Sequence, residues 1–390
     1  MSSFPSTFSS RPSPPPSPPL SPSFSSNINT SSSTSSQPPR QPLHVTTSIS
    51  SAFDAASQKL RLVSLGYTDD PYADVFGKAA VGKGLTARRG NNPVINRGYY
   101  ARVVAVDAKV EEFLKATEGR PRQVVELGSG LSTLYHRHKS HENLTWFEVD
   151  YPSVLENKSS LSSSISTTGP SPYAPLHHVP CDLSLGTALT SLSSSGAVAE
   201  KPTLFILEAV LMYMSSSAST RLLSSLAAGY GEATVVVYDP VLDLGGRGRF
   251  GEVMRGHLSR AGVDCSGMDE FDTLERQLGR LTSCGFTAST GSTMLELWRA
   301  LPRSIRSRAE AVEMLDEMEE WNMIMSHYVL LEGRNGGGGG ADRKPSKARD
   351  PPGTYRDGHD VLRSEANDGV LIDRTEAQWK DSSYRVREMD

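Results

Sequence analysis

The stretch Gln-Val-Val-Glu-Leu-Gly-Ser-Gly at residues 123–130 decides the fold of this chain. A short apolar run that passes directly into a glycine-rich turn is typical of a buried strand and its sharp exit. Gly128 and Gly130 carry no Cβ, so the backbone can bend tightly and a ligand can approach it closely. From Leu131 we expect a helix, whose free N–H groups favour polar or anionic ligand groups. Strand, glycine turn and helix predict the ligand-binding corner of an open α/β sheet.

Two acidic residues, Glu148 and Asp150, lie about twenty positions after this turn, at the end of a second predicted strand, Leu144 to Val149. An acid at that distance can hydrogen-bond ribose hydroxyls. Thr133 stands where the third glycine of the dinucleotide fingerprint would fall. A turn without that glycine looks more like the S-adenosylmethionine turn of class I methyltransferases than an NAD site. A tight turn in some other α/β protein is the alternative.

Composition sets broad limits on the function. The formal net charge of -4 over 390 residues gives no strong bias towards a polyanion. No apolar run approaches the roughly 18 residues of a membrane span. The three cysteines form no C-x-x-C pair, which predicts a reduced, cytoplasmic protein without a zinc site or a disulfide framework. The sequence shows no Cys or acid at ligand spacing from His136, His138 and His141, so we place them on a helix surface and expect no metal.

Changes in composition divide the chain into three parts. Residues 1–50 are rich in Ser and Pro and are predicted to be disordered, with neither a secretory signal nor the amphipathic helix of a transit peptide. Residues 51–333 are predicted to form one α/β domain with a helical N-terminal cap. Residues 334–390 contain five consecutive glycines at 336–340 and stay polar after them, which indicates a flexible linker and a disordered tail. Nothing in the sequence indicates an oligomer, so we expect a monomer.

Periodicity within residues 51–333 predicts a seven-stranded sheet interleaved with helices. The segment from Lys158 to Pro175 is predicted to be a loop. The remaining predicted strands are Leu176–Val179, Thr203–Leu207, Ala233–Tyr238, Phe286–Thr290 and His327–Leu331. The remaining predicted helices are Ala52–Leu65, one that starts at Asp70-Pro71, Asn96–Leu114, Asp272–Leu281 and Arg308–Met325. The last of these helices is amphipathic, and its methionines are predicted to pack in the core.

Several polar residues stand where these elements begin or end. Arg102 could reach the central pocket and pair with a ligand carboxylate, or lie on the surface. Asp182 could bind an adenine amino group while Leu183 packs on its ring, or Asp182 could simply cap a helix. Glu208 closes a buried strand and is well placed for ligand binding. The glycine- and arginine-rich stretch 244–251 could be a mobile substrate loop or a plain surface turn.

Short motifs spread over residues 66–328 carry a family resemblance. They are Gly66-Tyr67, Asp70-Pro71-Tyr72, Ile95-Asn96-Arg97-Gly98-Tyr99, Ala101-Arg102-Val103, Leu127-Gly128 with Gly130, Phe147-Glu148-Val149-Asp150, Asp182-Leu183, Glu208 with Val210-Leu211 and Tyr213-Met214, Arg249-Phe250-Gly251, Leu315-Asp316-Glu317-Met318-Glu319, and His327-Tyr328. With them the chain resembles the leucine carboxyl methyltransferases, which methylate the C-terminal leucine carboxylate of the protein phosphatase 2A catalytic subunit. The Asn-Arg-Gly-Tyr and Leu-Asp-Glu-Met-Glu blocks are unusual outside that family, which makes the match specific.

The resemblance implies a class I S-adenosylmethionine-dependent fold and a cofactor site. By resemblance, Lys59 and Arg102 contact the carboxylate end of the cofactor's methionine, and Glu208 lies beside its methionine moiety. Gly128 provides the contact from the glycine turn, and Asp150, in preference to Glu148, binds the ribose. Asp182 and Leu183 contact the adenine. One departure is Gly248, which stands where relatives carry an acid.

The implied reaction is in-line displacement by a carboxylate oxygen on the sulfonium methyl group. A C-terminal carboxylate has an ordinary pKa of roughly 3.3 to 3.7, so it is already ionised and no general base is required. The enzyme contributes positioning, which can remove roughly 7 to 11 kcal/mol of barrier. We expect Tyr213 or Arg249 to hold one carboxylate oxygen while the other attacks.

Two other functions compete with this one. The wybutosine-type tRNA methyltransferases carry a similar domain but usually continue into a β-propeller, whereas this sequence continues into a short polar tail without a blade repeat. A non-catalytic binding module should have lost the cofactor acids, yet Asp150, Asp182 and Glu208 are all present. We therefore expect the phosphatase subunit as partner, and neither nucleic acid nor membrane.

Overall fold

A computed structural model of the chain describes residues 43–82, 92–162, 174–243, 249–260 and 266–335. These residues all belong to one compact unit. Its centre is a seven-stranded sheet with the order β3-β2-β1-β4-β5-β7-β6, in which β7 runs antiparallel to both of its neighbours. The strands are β1 (Arg122–Leu127), β2 (Leu144–Asp150), β3 (Leu176–Pro180), β4 (Thr203–Glu208), β5 (Ala233–Pro240), β6 (Ala288–Thr293) and β7 (Tyr328–Arg334). The predicted seven-stranded α/β sheet is confirmed.

Helices precede the sheet and connect its strands. They are α1 (Leu43–Leu65), α2 (Pro71–Gly82), α3 (Pro93–Ala116), α4 (Leu134–His138), α5 (Pro152–Ser162), α6 (Ala188–Ser194), α7 (Ser216–Gly229), α8 (Arg249–Arg260), α9 (Ser266–Glu270), α10 (Leu274–Ser283), α11 (Met294–Ala300), α12 (Arg303–Val312) and α13 (Met318–Ser326), with 3₁₀ turns at Leu183–Leu185 and Leu211–Tyr213. Strand order changes direction between β1 and β4, so ligands are expected at the carboxyl ends of these two strands.

Side-chain caps fix where the first helices begin. The carboxylate of Asp70 accepts hydrogen bonds from the backbone N–H groups of Tyr72 and Ala73, so the predicted cap before Pro71 is confirmed. Asn92 caps α3 in the same way, with its Oδ1 2.8 Å from the Val94 nitrogen. These caps set the entry of the two helices that flank the glycine turn.

Alternate residues of the central strands fill two separate cores, one on each face of the sheet. Val124 and Leu204 pack with α3, α11 and α13, whereas Val125 and Phe205 pack with α6, α7 and α10. Because both faces are covered, β1 and β4 are buried along nearly their whole length, as expected for a parallel sheet.

Three predicted boundaries near the N-terminal half are wrong. The helix predicted from Ala52 to Leu65 is α1, which begins earlier, at Leu43. The helix expected from Leu131 begins at Leu134, after a longer turn. Lys158 lies in α5 rather than in a loop, because its side chain is buried against Glu148. Residues 1–42, 163–173, 244–248 and 336–390 are outside the described part of the chain, so the other predictions on those segments stay predictions.

The single helix predicted over residues 308–325 is two helices, α12 and α13, with extended backbone at Glu313. The side-chain amide of Asn96 donates to Glu313 Oε2 at 2.9 Å, and Arg97 donates to the Glu313 carbonyl at 2.5 Å. The Asn-Arg-Gly-Tyr block at the start of α3 therefore satisfies the polar groups of the helix break. This contact joins one motif of the resemblance to Glu313, which lies two residues before the motif at 315–319.

The predicted methionine stripe is only partly a core feature. Met325 is buried, but Met314 is 78% exposed and Met318 is 49% exposed. Met314 lies in the break between α12 and α13, and Met318 is the first residue of α13. The prediction of core packing is therefore wrong for Met314 and Met318.

The histidine cluster is also not a helix surface. His138 is fully buried, with its Nε2 3.0 Å from Asp107 and its Nδ1 3.1 Å from Glu111. His141 is half-buried beside it. The acids come from α3, more than 25 residues earlier in the chain, so local spacing could not show them.

Candidate active site

The glycine turn after β1 brings two backbone segments into close contact. Gly128 has φ +72° and Gly130 has φ +48°, a region that favours glycine. A Cβ built on Gly128 would lie only 2.7 Å from Cγ2 of Val210, which follows β4. The Gly128 nitrogen also donates to the Val149 carbonyl at 2.8 Å. Only glycine fits this position, because the Val210 side chain occupies the space that a Cβ would need.

Asp150 ends β2 directly beside this turn. Its Oδ2 accepts from the Gly130 nitrogen at 2.7 Å, and its Oδ1 accepts from the Tyr151 nitrogen at 2.7 Å. Burial raises the pKa of this carboxyl, against the effect of those two donors. Each carboxylate oxygen has a second lone pair, so the group can still accept from ribose hydroxyls.

Glu148, the other candidate acid, has a different environment. It is fully buried and lies 2.8 Å from Lys158 Nζ and 3.2 Å from His178 Nε2. Burial alone would raise the pKa of Glu148, but Lys158 and His178 outweigh it and lower that pKa. Its charge is thus matched within the fold, which supports Asp150 as the ribose acid.

A buried charge cluster lies beside the turn and draws on three elements. Glu208 ends β4, Arg102 comes from α3 and Lys59 comes from α1. Arg102 Nε donates to Glu208 Oε1, and Lys59 Nζ lies 3.9 Å from Glu208 Oε2. Each of these three side chains is only 12 or 13% exposed. The fold therefore brings together three of the residues that the sequence assigned to the cofactor.

The cluster has one positive charge in excess. Burial opposes ionisation of Glu208, but Arg102 and Lys59 outweigh it and hold its pKa at about 2. Burial lowers the pKa of Lys59 more than Glu208 raises it. Two cations with one carboxylate sum to +1, and a buried net charge is costly unless it is paired. An anionic group of a ligand would supply the missing charge.

Two aromatic rings hold Arg102 and were missed by the sequence analysis. Its guanidinium carbon lies 5.3 Å from the centre of the Tyr99 ring and 4.8 Å from that of Tyr238. Both contacts fall within the range of cation–π attraction. The i, i+3 spacing of Tyr99 and Arg102 on one helix was a usable signal.

Thr133, which replaces the third glycine of the dinucleotide fingerprint, has a structural role. Its Oγ1 donates to Asp70 Oδ2 at 2.6 Å. Arg137 lies 3.2 Å from Asp70 and 3.0 Å from Asp107, so it joins the starts of α2 and α4 to α3. This buried network supports the glycine turn from behind, and the sequence analysis did not find it.

Asp182 and Leu183 lie after β3. Asp182 Oδ1 accepts from the Ser184 nitrogen at 2.9 Å and from the Ser184 hydroxyl at 2.7 Å, so the capping alternative is observed. Leu183 is buried in the core that includes Val125. The adenine contacts of both residues stay predictions.

Tyr213 and Arg249, the predicted substrate contacts, differ in exposure. Tyr213 ends the 3₁₀ turn after β4, and burial raises the pKa of its hydroxyl, which hydrogen-bonds Ser51. Arg249 is exposed at the first position of α8. Two residues later, position 251 requires glycine, because a Cβ there would overlap the Leu242 carbonyl oxygen. The roles of Tyr213 and Arg249 stay predictions.

The strand order, the glycine turn after β1 and the acid after β2 define a class I S-adenosylmethionine-dependent methyltransferase. Within this class, the chain belongs to the leucine carboxyl methyltransferase family. The sequence model of that family matches residues 48–227. The predicted family, the fold class and the assignment as a methyltransferase are thereby confirmed.

Curated relatives of two kinds are similar to the chain. Leucine carboxyl methyltransferase 1 of Rattus norvegicus is 32% identical over 305 residues, which cover 73% of this chain and 88% of the relative. tRNA wybutosine-synthesizing protein 4 of Homo sapiens is 32% identical over 308 residues, which cover 72% of this chain and 43% of that protein. Among solved structures, an O-methyltransferase family protein from Burkholderia thailandensis has 13% identity and a TM-score of 0.41, with 68% of this chain and 61% of that chain covered.

Proposed function

We propose that this enzyme uses S-adenosylmethionine to methylate the C-terminal leucine carboxylate of the protein phosphatase 2A catalytic subunit. The observation that carries the proposal is the 32% identity to leucine carboxyl methyltransferase 1 over 88% of that protein. The family model, which matches residues 48–227, includes the strands and helices that form the candidate cofactor site. A formal net charge of -4 also suits a protein substrate better than a polyanion.

The residues present suit S-adenosylmethionine. The excess positive charge of Lys59 and Arg102 over Glu208 fits the carboxylate of the methionine end, and the carboxylate of Glu208 fits its ammonium group. Gly128 lets the turn bend tightly at the switch point, and Asp150 has acceptor capacity for the ribose hydroxyls. When bound, the cofactor supplies the electrophilic methyl group.

The chain's own contribution to catalysis is to position the substrate and exclude water. The substrate carboxylate is ionised without help, so the described site needs no proton acceptor. Tyr213, half-buried at the end of the 3₁₀ turn after β4, is proposed to donate its hydroxyl to one carboxylate oxygen. Arg249 is proposed to pair with the same group from α8. Both donors must hold the carboxylate without neutralising the oxygen that attacks.

The test is methyl transfer from radiolabelled S-adenosylmethionine to three substrates: the intact phosphatase catalytic subunit, the same subunit without its terminal leucine, and unmodified tRNA. We expect base-labile label on the intact subunit alone, because a carboxyl methyl ester is hydrolysed by base. Equal labelling of the truncated subunit would contradict the proposed acceptor.

Substrate positioning is tested separately with Tyr213→Phe and Arg249→Ala. Arg255→Ala is the matched control, since Arg255 lies on the same helix and pairs with Asp269 at 2.5 Å on the surface. We expect lower kcat/KM for the first two variants and no change for the control. Unchanged turnover in both test variants would refute their role in holding the carboxylate.

The second candidate function is methylation of a carboxyl group in tRNA wybutosine. It is kept because identity to tRNA wybutosine-synthesizing protein 4 is also 32%. Label on tRNA but not on the phosphatase would support this function. The competing binding-module function predicts cofactor binding without label on either substrate.

We further propose that the enzyme acts as a cytoplasmic monomer. None of the described helices is long and apolar enough to cross a membrane. Monomer mass by light scattering and the distribution of a fluorescent fusion test the two parts of this proposal independently.

A further inference from the structure

A cluster of two histidines and a glutamate lies outside the cofactor site. We propose that Glu111, His138 and His141 bind a divalent zinc-like cation, although the sequence alone predicted no metal. Their three potential ligand atoms all lie within 4.8 Å of one another. Two imidazoles and one carboxylate form a set of donors that Zn²⁺ commonly uses, with a fourth position left for water.

One distance within the cluster already matches that of a metal site. Ligand atoms about 2.0 to 2.1 Å from a tetrahedral ion are roughly 3.3 Å apart. His138 Nδ1 and Glu111 Oε1 already lie 3.1 Å apart. His141 is half-buried in the turn between α4 and β2, and one of its ring nitrogens lies within 4.8 Å of the ligand atoms of His138 and Glu111.

His138 is oriented as a metal ligand by residues that do not themselves reach the ion. Asp107 Oδ1 lies 3.0 Å from His138 Nε2, the ring nitrogen opposite the cluster. Arg137 in turn holds the same carboxylate oxygen at 3.0 Å. A carboxylate on the far nitrogen fixes the imidazole so that Nδ1 points at the ion, which is a common arrangement around zinc. The ring also stacks on Trp146, with 5° between the two planes.

The charge around the cluster is compatible with a dication. Glu111 contributes a negative charge directly and Asp107 a second one through His138. Arg122 lowers the pKa of His141 and Glu118 raises it, so these two neighbours act in opposite directions. On binding, the metal would displace the proton between His138 Nδ1 and Glu111 into solvent and take its place. The Nδ1 lone pair would then point at the metal without a change in the orientation of the ring.

This site lies at the opposite end of β2 from the cofactor. His141 comes shortly before Leu144, where β2 begins, while Asp150 ends that strand. Six residue steps of about 3.3 Å put these ends roughly 20 Å apart. The bound metal would therefore be structural: it would join α3, α4 and the turn before β2, and stabilise the fold by binding only the native state.

The experiment uses the full chain after metal removal with a chelator and titrates it with CoCl₂ and then ZnCl₂. We expect one equivalent of cobalt with visible absorption typical of low coordination number, displaced by zinc. Competition with a chromophoric chelator gives the zinc affinity. We expect at least about a tenfold loss of affinity for His141→Ala and for Glu111→Gln.

Two control variants separate ligation from general effects. Glu118→Gln removes a nearby charge without removing a ligand, and His257→Ala removes an exposed histidine on α8. Both should bind zinc as the parent protein does. Because His141 and Glu111 are only half-buried, their variants should fold, which S-adenosylhomocysteine binding verifies. Absence of cobalt absorption in the parent protein, or unchanged zinc affinity in His141→Ala, would overturn the proposal.

Discussion

Replacing Arg102 by methionine tests how the charge cluster recognises the cofactor. The cluster of Lys59, Arg102 and Glu208 carries a net charge of +1, and the substitution reduces it to zero. Methionine keeps much of the side-chain volume between Tyr99 and Tyr238. The cofactor carboxylate would then enter a site whose only cation already faces a carboxylate. Its binding should weaken strongly.

The magnitude follows from the burial of the pair. Removing one partner of a buried, hydrogen-bonded charge pair costs about 2 to 5 kcal/mol. Since each 1.4 kcal/mol corresponds to about a factor of ten, the Kd of S-adenosylhomocysteine should rise roughly 30-fold to several thousand-fold. Isothermal titration calorimetry measures this directly on the folded protein.

A second ligand distinguishes recognition from damage to the fold. 5′-Methylthioadenosine has the adenine and ribose but neither the carboxylate nor the ammonium group, so Arg102→Met should leave its affinity nearly unchanged. Arg120→Met is the matched control, because Arg120 pairs with Glu232 on the surface. If both ligands weakened equally in Arg102→Met, or if neither did, the charge-matching argument would be refuted.

Three further predictions concern stability. Lys158→Met should lower the free energy of urea unfolding by about 3 to 5 kcal/mol by leaving Glu148 buried without its cation, and adding Glu148→Gln should restore most of it; no restoration would contradict the pairing. Gly128→Ala should lower the free energy of unfolding by at least about 1 kcal/mol and weaken cofactor binding, and adding Val210→Ala should restore part of both. Unchanged stability and cofactor binding in Gly128→Ala alone would disprove the steric argument. Burial raises the pKa of Asp239 to about 7, so unfolding free energy should fall between about pH 4 and 7, by at most about 4 kcal/mol from this group. Asp239→Asn should remove that fall, and an identical pH profile in the variant would show that other groups cause it.

The sign for Asp239 follows from proton binding. Its folded pKa lies above the unfolded value of about 3.9, so between these values the folded state binds more protons than the unfolded chain. Stability is then full at low pH and decreases as the pH rises through about 7.

The sequence predicted the sheet well because its central strands are buried on both faces. The runs at 124–127 and 203–207 are apolar except for Glu126 and Thr203, and they lead into Gly128 and Glu208 at the switch point. Both the type of these strands and their role were therefore readable. Lys59, Arg102 and Glu208 were assigned through the family resemblance rather than through spacing. Their convergence on one site is a property of the fold alone.

Features that depend on distant partners were not predictable in this way. Glu313 breaks the helix expected over 308–325 because Asn96, 217 residues earlier, binds its carboxylate. His138 is buried against Asp107, which lies 31 residues before it. Helical periodicity reports only which face of an element is apolar, so it could reveal neither contact.

The origin of the charge cluster from three separate elements has a consequence for synthesis on the ribosome. Lys59 and Arg102 emerge with the first helices, but their counter-ion, Glu208, is made only after β4 is translated. At roughly 5 to 20 residues per second, Lys59 waits on the order of 10 to 30 s for that carboxylate. Until then, burying the two cations is unfavourable, so the N-terminal helices are expected to dock late. Slow codons or a chaperone acting between α3 and β4 would thus affect how much active enzyme a cell obtains, without any change in the finished protein.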